Sequence, residues 1–235
     1  MNFISHQYCS PEPDNPWFTV GNCLPDMVKF TGKRVPKSHS CKVLSECVHD
    51  VQQMQAITRG MLNHICYDNA FHSSDYFTGK LVRLSDQISR RSLEIPRKDV
   101  FCHLLLEIAM DSMLNKEKPY LAQKITLAFE QVDLAYVLSE FAGPYGIQPV
   151  MVKERIDNFL AKKYLQSYGT PKGIYDVFRR IYLRLFREDL LPLKENAMEV
   201  INLAFPLLKD HLEFLDCLFR DFSVDKDYSL SSPSS

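Results

Sequence analysis

The sequence predicts an all-α protein: one helical domain of about eight helices over residues 1–222, then a disordered tail at 223–235. Three observations predict it. Glycine is scarce, 8 in 235 residues, too few for the many turns of an all-β sandwich or a doubly wound α/β fold. Leu, Met, Phe, Lys and Glu are abundant, and strong helix formers are among them. Apolar residues recur every three or four positions over long stretches. An apolar share of 46% and a charged share of 24% are ordinary for a globular chain and exclude disorder as the main state.

Taken in order, residues 1–19 hold three prolines and an Asp14-Asn15-Pro16 turn signal, so an extended or looped start is expected. A short helix is expected near Pro25, with proline in its first turn. Residues 29–38 form a basic connection broken by Gly32 and Pro36. Helical spacing then runs over 39–74 (Val43, Leu44, Cys47, Val51, Met54, Ile57, Met61, Ile65) and over 77–91 (Leu81, Leu84, Ile88). The most periodic helix is 97–116, and 119–142 is read as one further helix. Gly143-Pro144-Tyr145-Gly146 is a break. Helices at 150–165, 171–188 and 191–221 each open near a proline. The tail ends Ser-Leu-Ser-Ser-Pro-Ser-Ser and reads as disordered.

Net charge is −1, so no global field draws the chain to nucleic acid or to an anionic membrane. No stretch approaches the roughly 18 uninterrupted apolar residues of a membrane span. The start lacks a basic segment followed by an apolar one, so no secretory signal is read. The seven cysteines are scattered without CxxC spacing and read as core packing rather than as a disulfide framework or zinc ribbon. A reduced, cytoplasmic protein is the expectation. There is no GxGxxG, phosphate loop or GxSxG elbow.

Chemistry concentrates on two helices. One carries His64 and Asp68 four residues apart, followed by His72. The other carries His103, Glu107 and Asp111 at the same spacing. Positions i, i+4 and i+8 share one helix face. Leu, Ile and Met surround the second stripe, so its ionisable groups are expected to be buried, at a cost of several kcal/mol each unless something pairs them. A metal ion would do so, because carboxylates and imidazoles are its natural ligands. A single His-x-x-x-Asp pair is ordinarily a surface or capping pair. Two such stripes support one another, because facing helices of this kind build metal sites in bundles. His72 is either a third ligand or a polar residue at a helix end. His39, His49 and His211 sit among charged neighbours and read as surface residues. Arg180, Arg184 and Arg187 fall near one side of a helix, either a solvated face or a site for an acidic partner or phosphate group.

The chain also resembles a family. Met1-Asn2-Phe3 with His6 looks like the MNFLAHL opening of bacterial acyl carrier protein phosphodiesterases. Gly21-Asn22-Cys23-Leu24-Pro25-Asp26 is similar to their GNLLAD segment. Residues 60–68, GMLNHICYD, match the spacing of their G-I-x-x-H-R-x-I-D motif, and Glu107 and Asp111 fall where they have two acidic residues four apart. The four segments occur in the right order over the first half of the chain. The resemblance implies an HD-like helical metallohydrolase that removes the phosphopantetheine arm from acyl carrier protein by hydrolysing a phosphodiester with a divalent cation such as manganese. It makes Asp26, His64 and Asp68 metal or catalytic residues, with His6, Glu107 and Asp111 as further site candidates. The sequence departs from the motif at Ile65, where the family has arginine, and at His72, where it has an acidic residue. The first departure bears on the substrate. The second shifts the expected metal towards Mn, Zn or Fe and away from Mg.

The reading is therefore a metal-dependent phosphodiester hydrolase with ligands drawn from His6, Asp26, His64, Asp68, His72, His103, Glu107 and Asp111. Asp26 and Glu107 are the candidate general bases. Acyl carrier protein is the first substrate expected. A phospholipid head group, as for a phospholipase C-like hydrolase, or another small phosphodiester is the second. A catalytically inactive helical interaction module of the same fold is the rival.

Overall fold

A computed structural model describes residues 1–29, 52–142 and 148–224. Among these every regular element is helical. The segment 30–51, with His39 and His49, the break at 143–147 and the tail from 225 lie outside the described residues.

The first 19 residues are looped only in part, over 9–15. A six-residue helix α1 (Phe3–Tyr8) opens the chain, and α2 (Pro16–Lys29) follows. The turn signal read at 14–16 is the start of α2: the Asn15 side chain accepts from the backbone N–H of Trp17 (3.1 Å) and Phe18 (3.3 Å), with Pro16 at the first helical position. Pro25 lies inside this helix rather than in its first turn.

Then come α3 (Gln52–Ser73), α4 (Asp75–Arg90), capped by the Ser74 hydroxyl, and α5 (Lys98–Glu117). The helix read over 119–142 is two, α6 (Tyr120–Gln131) and α7 (Leu134–Ala142). They part at Asp133, whose carboxylate accepts from the Tyr136 N–H (3.1 Å) and caps the second. Beyond are α8 (Pro149–Ala161), α9 (Tyr164–Ser167) and α10 (Pro171–Leu185). Lys163, with φ 47°, ends the path from α8. The helix read over 191–221 is also two, α11 (Lys194–Leu207), with Pro206 in its last turn, and α12 (His211–Val224). The count is thus twelve α-helices among the described residues rather than about eight, because short polar caps divide runs whose apolar period continues across them. No helix among the described residues is long and apolar enough to cross a membrane.

Two packings position the site. Helix α5 runs through the core, with Leu105, Leu106, Ala109, Met110 and Leu114 fully buried, and packs against α1, α4 and α11. Helices α2 and α3 lie against one another over most of their length. Their closeness rests on Gly21 and Gly60. A methyl on Gly21 would collide with the Ile57 carbonyl, and one on Gly60 with Phe18 O and Asn22 N. Gly60→Ala is therefore expected to destabilise by about 1–3 kcal/mol through overpacking. Gly79→Ala, on α4 with open space around it, is expected to be neutral or to stabilise by up to about 1 kcal/mol. Urea unfolding of the two variants checks the contrast.

Candidate metal centre

Three helices meet at the first cluster. Helix α1 supplies His6, α2 supplies Asp26 and α3 supplies His64. Their ligand atoms lie within 4.8 Å of one another. Both imidazoles are buried and stack, with ring centres 3.9 Å apart and planes at 22°. His64 Nδ1 is 2.9 Å from the Asn22 carbonyl. A carbonyl only accepts, so Nδ1 carries the proton and Nε2 is the nitrogen that faces Asp26 Oδ1, at 3.6 Å. Asn22 ties the cluster together. Its side chain donates to the His6 carbonyl (3.0 Å) and accepts from Asn63 (3.3 Å).

The second cluster joins α3 to α5. His72 Nε2 (2.7 Å) and His103 Nε2 (3.0 Å) both approach one oxygen of Glu107. Their rings stack at 4.8 Å, and Phe77 packs edgewise on both. Asp68 sits one helical turn from His64 and one from His72. Its Oδ1 lies 3.4 Å from His72 Nδ1. The Met1 α-amino group donates to the same oxygen (2.8 Å) and is 3.8 Å from Glu107 Oε1. His6 and His64 are enclosed, whereas the His103 side chain is 41% exposed, so the site opens on the α5 side.

Electrostatics mark these groups out. Burial opposes charge on Asp68, but hydrogen bonding to His72 and the neighbouring amine and imidazoles hold its pKa well below the usual carboxylate range. Burial likewise opposes charge on Glu107, yet the amine, His103 and His72 bring it down to about 2. His72 moves the other way: burial is outweighed by hydrogen bonds to Asp68 and Glu107, and its pKa rises to about 9.

Asp111 is set apart. Fully buried on α5, it accepts from Ile4 N (2.9 Å), Ser5 N (2.8 Å) and Ser5 Oγ (2.6 Å). It thereby caps the start of α1. Burial pushes its carboxyl up to about 7, although three donors favour the ionised form. It belongs to neither cluster. It anchors the helix that carries His6.

The structure thus gathers His6, Asp26 and His64 in one cluster and His72, His103 and Glu107 in a second, with Asp68 between them. The donor set, three carboxylates and four imidazoles from four helices, fits a divalent first-row ion better than magnesium, because nitrogen ligands dominate each cluster. Three expectations need correction. His103 is not enclosed, because its stripe turns outward at the start of α5. His211 is buried rather than at the surface: its Nδ1 donates to Leu208 O (3.0 Å), and its Nε2 is 3.7 Å from Glu117. The α1 loop is a helix. Sequence reasoning missed Asn22, Asn63 and Ser5 as supports. Only the Gly-Asn-Cys-Leu-Pro-Asp segment signalled the first of them. Comparison with protein-family models, with curated proteins and with solved structures finds no match to this chain.

Proposed function

We propose that the protein is a metal-dependent phosphodiester hydrolase. The observation that carries this reading is the pair of His/carboxylate clusters set on either side of Asp68. His6, Asp26 and His64 would hold one divalent ion, and His72, His103 and Glu107 a second, with Asp68 within reach of both. An ion held there lowers the pKa of a bound water and stabilises charge on a phosphoryl oxygen. The chain's own residues orient and exclude. Asn22 fixes the His64 tautomer, Asp111 fixes α1, and Phe77 shields one side of the imidazoles from water. Whichever of Asp26 and Glu107 is not bound to metal would take a proton from an attacking water.

Acyl carrier protein is the first substrate to try, on the strength of the resemblance in the first half of the chain. A phospholipid head group or small phosphodiester is the second. The test is hydrolysis of bis-p-nitrophenyl phosphate with added manganese or zinc. Activity should vanish on chelation and fall about 100-fold or more in Asp68→Ala, since even groups that only support ligands are worth about 10–100-fold. Activity indifferent to chelator, or undiminished in Asp68→Ala, overturns the reading.

One observation favours a second reading. His72, His103, Glu107, Asp68 and the Met1 amine satisfy one another by hydrogen bonds and ion pairs, as they would in an interaction module without catalysis. Elemental analysis of purified protein separates the two, because only the hydrolase retains stoichiometric metal.

A further inference from the structure

Helices α8, α9 and α10 line a cavity of about 330 Å³, with Phe3 of α1 also in its wall. Its wall carries Arg155, Lys162, Arg180 and Arg184, and no Asp or Glu. Arginines elsewhere among the described residues are of both kinds, paired and unpaired, and Arg83, Arg90 and Arg187 also have no carboxylate partner there. Arg59 pairs with Glu12, Arg91 with Glu199, Arg97 with Glu188 and Arg179 with Asp189. Arg155, Lys162 and Arg180 have no carboxylate partner among the described residues. Like charges gathered round one opening repel, weakly at the exposed Arg155, Lys162 and Arg180 and more at the partly buried Arg184. Arg184 shows it: half-buried, its pKa is lowered by burial and by the charge of Arg155. An anion between these groups would offset the repulsion.

The walls between the cations are aromatic. Phe159 and Tyr164 stack (ring centres 5.7 Å, planes at 19°), and the Arg180 guanidinium lies 5.5 Å from the Tyr164 ring centre. Phe159 is already covered by Phe3 and Tyr164, so the partly exposed Tyr164 is the aromatic surface that a simple inorganic anion would leave unused. The volume lies within the range of small-molecule sites, which combine apolar walls with a few placed polar groups. Arginine's planar fork also suits phosphate oxygens.

We propose that this cavity binds a small organic phosphate, its phosphate group between Arg155, Arg180 and Arg184 and its planar or apolar body against Tyr164. The site is separate from the proposed metal centre. No candidate metal ligand lines it, although α8 also packs on α2 and the Tyr168 hydroxyl accepts from Asn2 (3.4 Å). The inference stands whether or not the protein is a hydrolase.

Isothermal titration of the full chain with adenosine 5′-monophosphate, phenyl phosphate, adenosine and inorganic phosphate tests it. Vesicle flotation with phosphatidylglycerol runs alongside. At least one organic phosphate should bind, more than tenfold tighter than either adenosine or inorganic phosphate. Binding should weaken with salt and be unchanged by chelator or by His64→Ala. Arg155 and Arg180 are exposed, so Arg155→Glu/Arg180→Glu should fold, as circular dichroism will show, and should weaken binding more than tenfold. Arg155→Gln/Arg180→Gln should fall between. Failure of both organic phosphates to bind overturns the proposal, as does binding that survives the double glutamate change. Loss of binding on chelation would place the ligand at the metal centre instead. Inorganic phosphate binding as tightly would remove the role of the aromatic wall. Binding to anionic vesicles alone would mean a lipid surface.

Discussion

Replacing Asp111 with alanine is expected to cost about 3–6 kcal/mol of stability, a large part of what a domain of this size has. The change strips the acceptor from Ile4 N, Ser5 N and Ser5 Oγ. A buried donor left unsatisfied costs about 1–3 kcal/mol. A six-residue helix has no stability of its own, so α1 should detach and take His6 with it. Asp111→Asn keeps one of the two acceptor oxygens and should lose roughly half as much. Urea denaturation of both variants measures this, and a loss under about 1 kcal/mol in Asp111→Ala would show that α1 is held by packing alone.

Chelated protein titrated with manganese or zinc should melt about 5–10 °C higher at a hundredfold excess over Kd. Binding to the native state alone contributes about 2.7 kcal/mol there, and a chain of this size gains about 2–4 °C per kcal/mol. His64→Ala and His72→Ala should each remove part of the shift, and Asp68→Ala most of it. The pH dependence has a definite sign. To bind metal, His72 must release a proton held with a pKa of about 9, so the shift should grow as pH rises towards 9 and shrink below it. Without metal the order reverses. Stability from charged His72 is fully present below its ordinary pKa of 6.5 and is lost as pH rises through about 9. Stability from ionised Glu107 is present above its ordinary 4.5 and is lost as pH falls towards about 2. For this pair, metal-free protein is most stable between those two ordinary values. No metal-dependent shift at any pH would favour the interaction module.

Helix content was legible because glycine is scarce and the apolar period of α4 and α10 is regular, while α5 is apolar nearly all round. Helix ends were less so. Asp133 divides one periodic run, and Asn15 begins a helix where the prolines suggested a loop. Both effects are local capping chemistry that period alone does not register. The site was legible as far as one helix face allows. His64, Asp68 and His72 share a stripe on α3, and Glu107 faces them from α5. The stripe rule failed at Asp111. It lies on the right face, but the nearest backbone to it is the N-terminus of α1, a contact across 106 residues of sequence. His211 was misread because charged neighbours in sequence suggested a surface position, whereas its ring turns inward to Leu208 O and Glu117 and is buried. Asn22 acts on His64 through a backbone carbonyl, which leaves no mark in residue type, and on His6 and Asn63 through its side chain.

The crossing at Gly21 and Gly60 has a consequence for calibre. Asp26 and His64 project from two main chains that already touch, so the gap between them is set by backbone rather than by side chains free to retreat. Such a pair behaves as a fixed-jaw gauge. An occupant wider than the opening would have to prise two helices apart along their length. Calcium, with bonds of about 2.3–2.6 Å and an appetite for six to eight oxygens, is the common divalent ion this gauge is worst suited to admit.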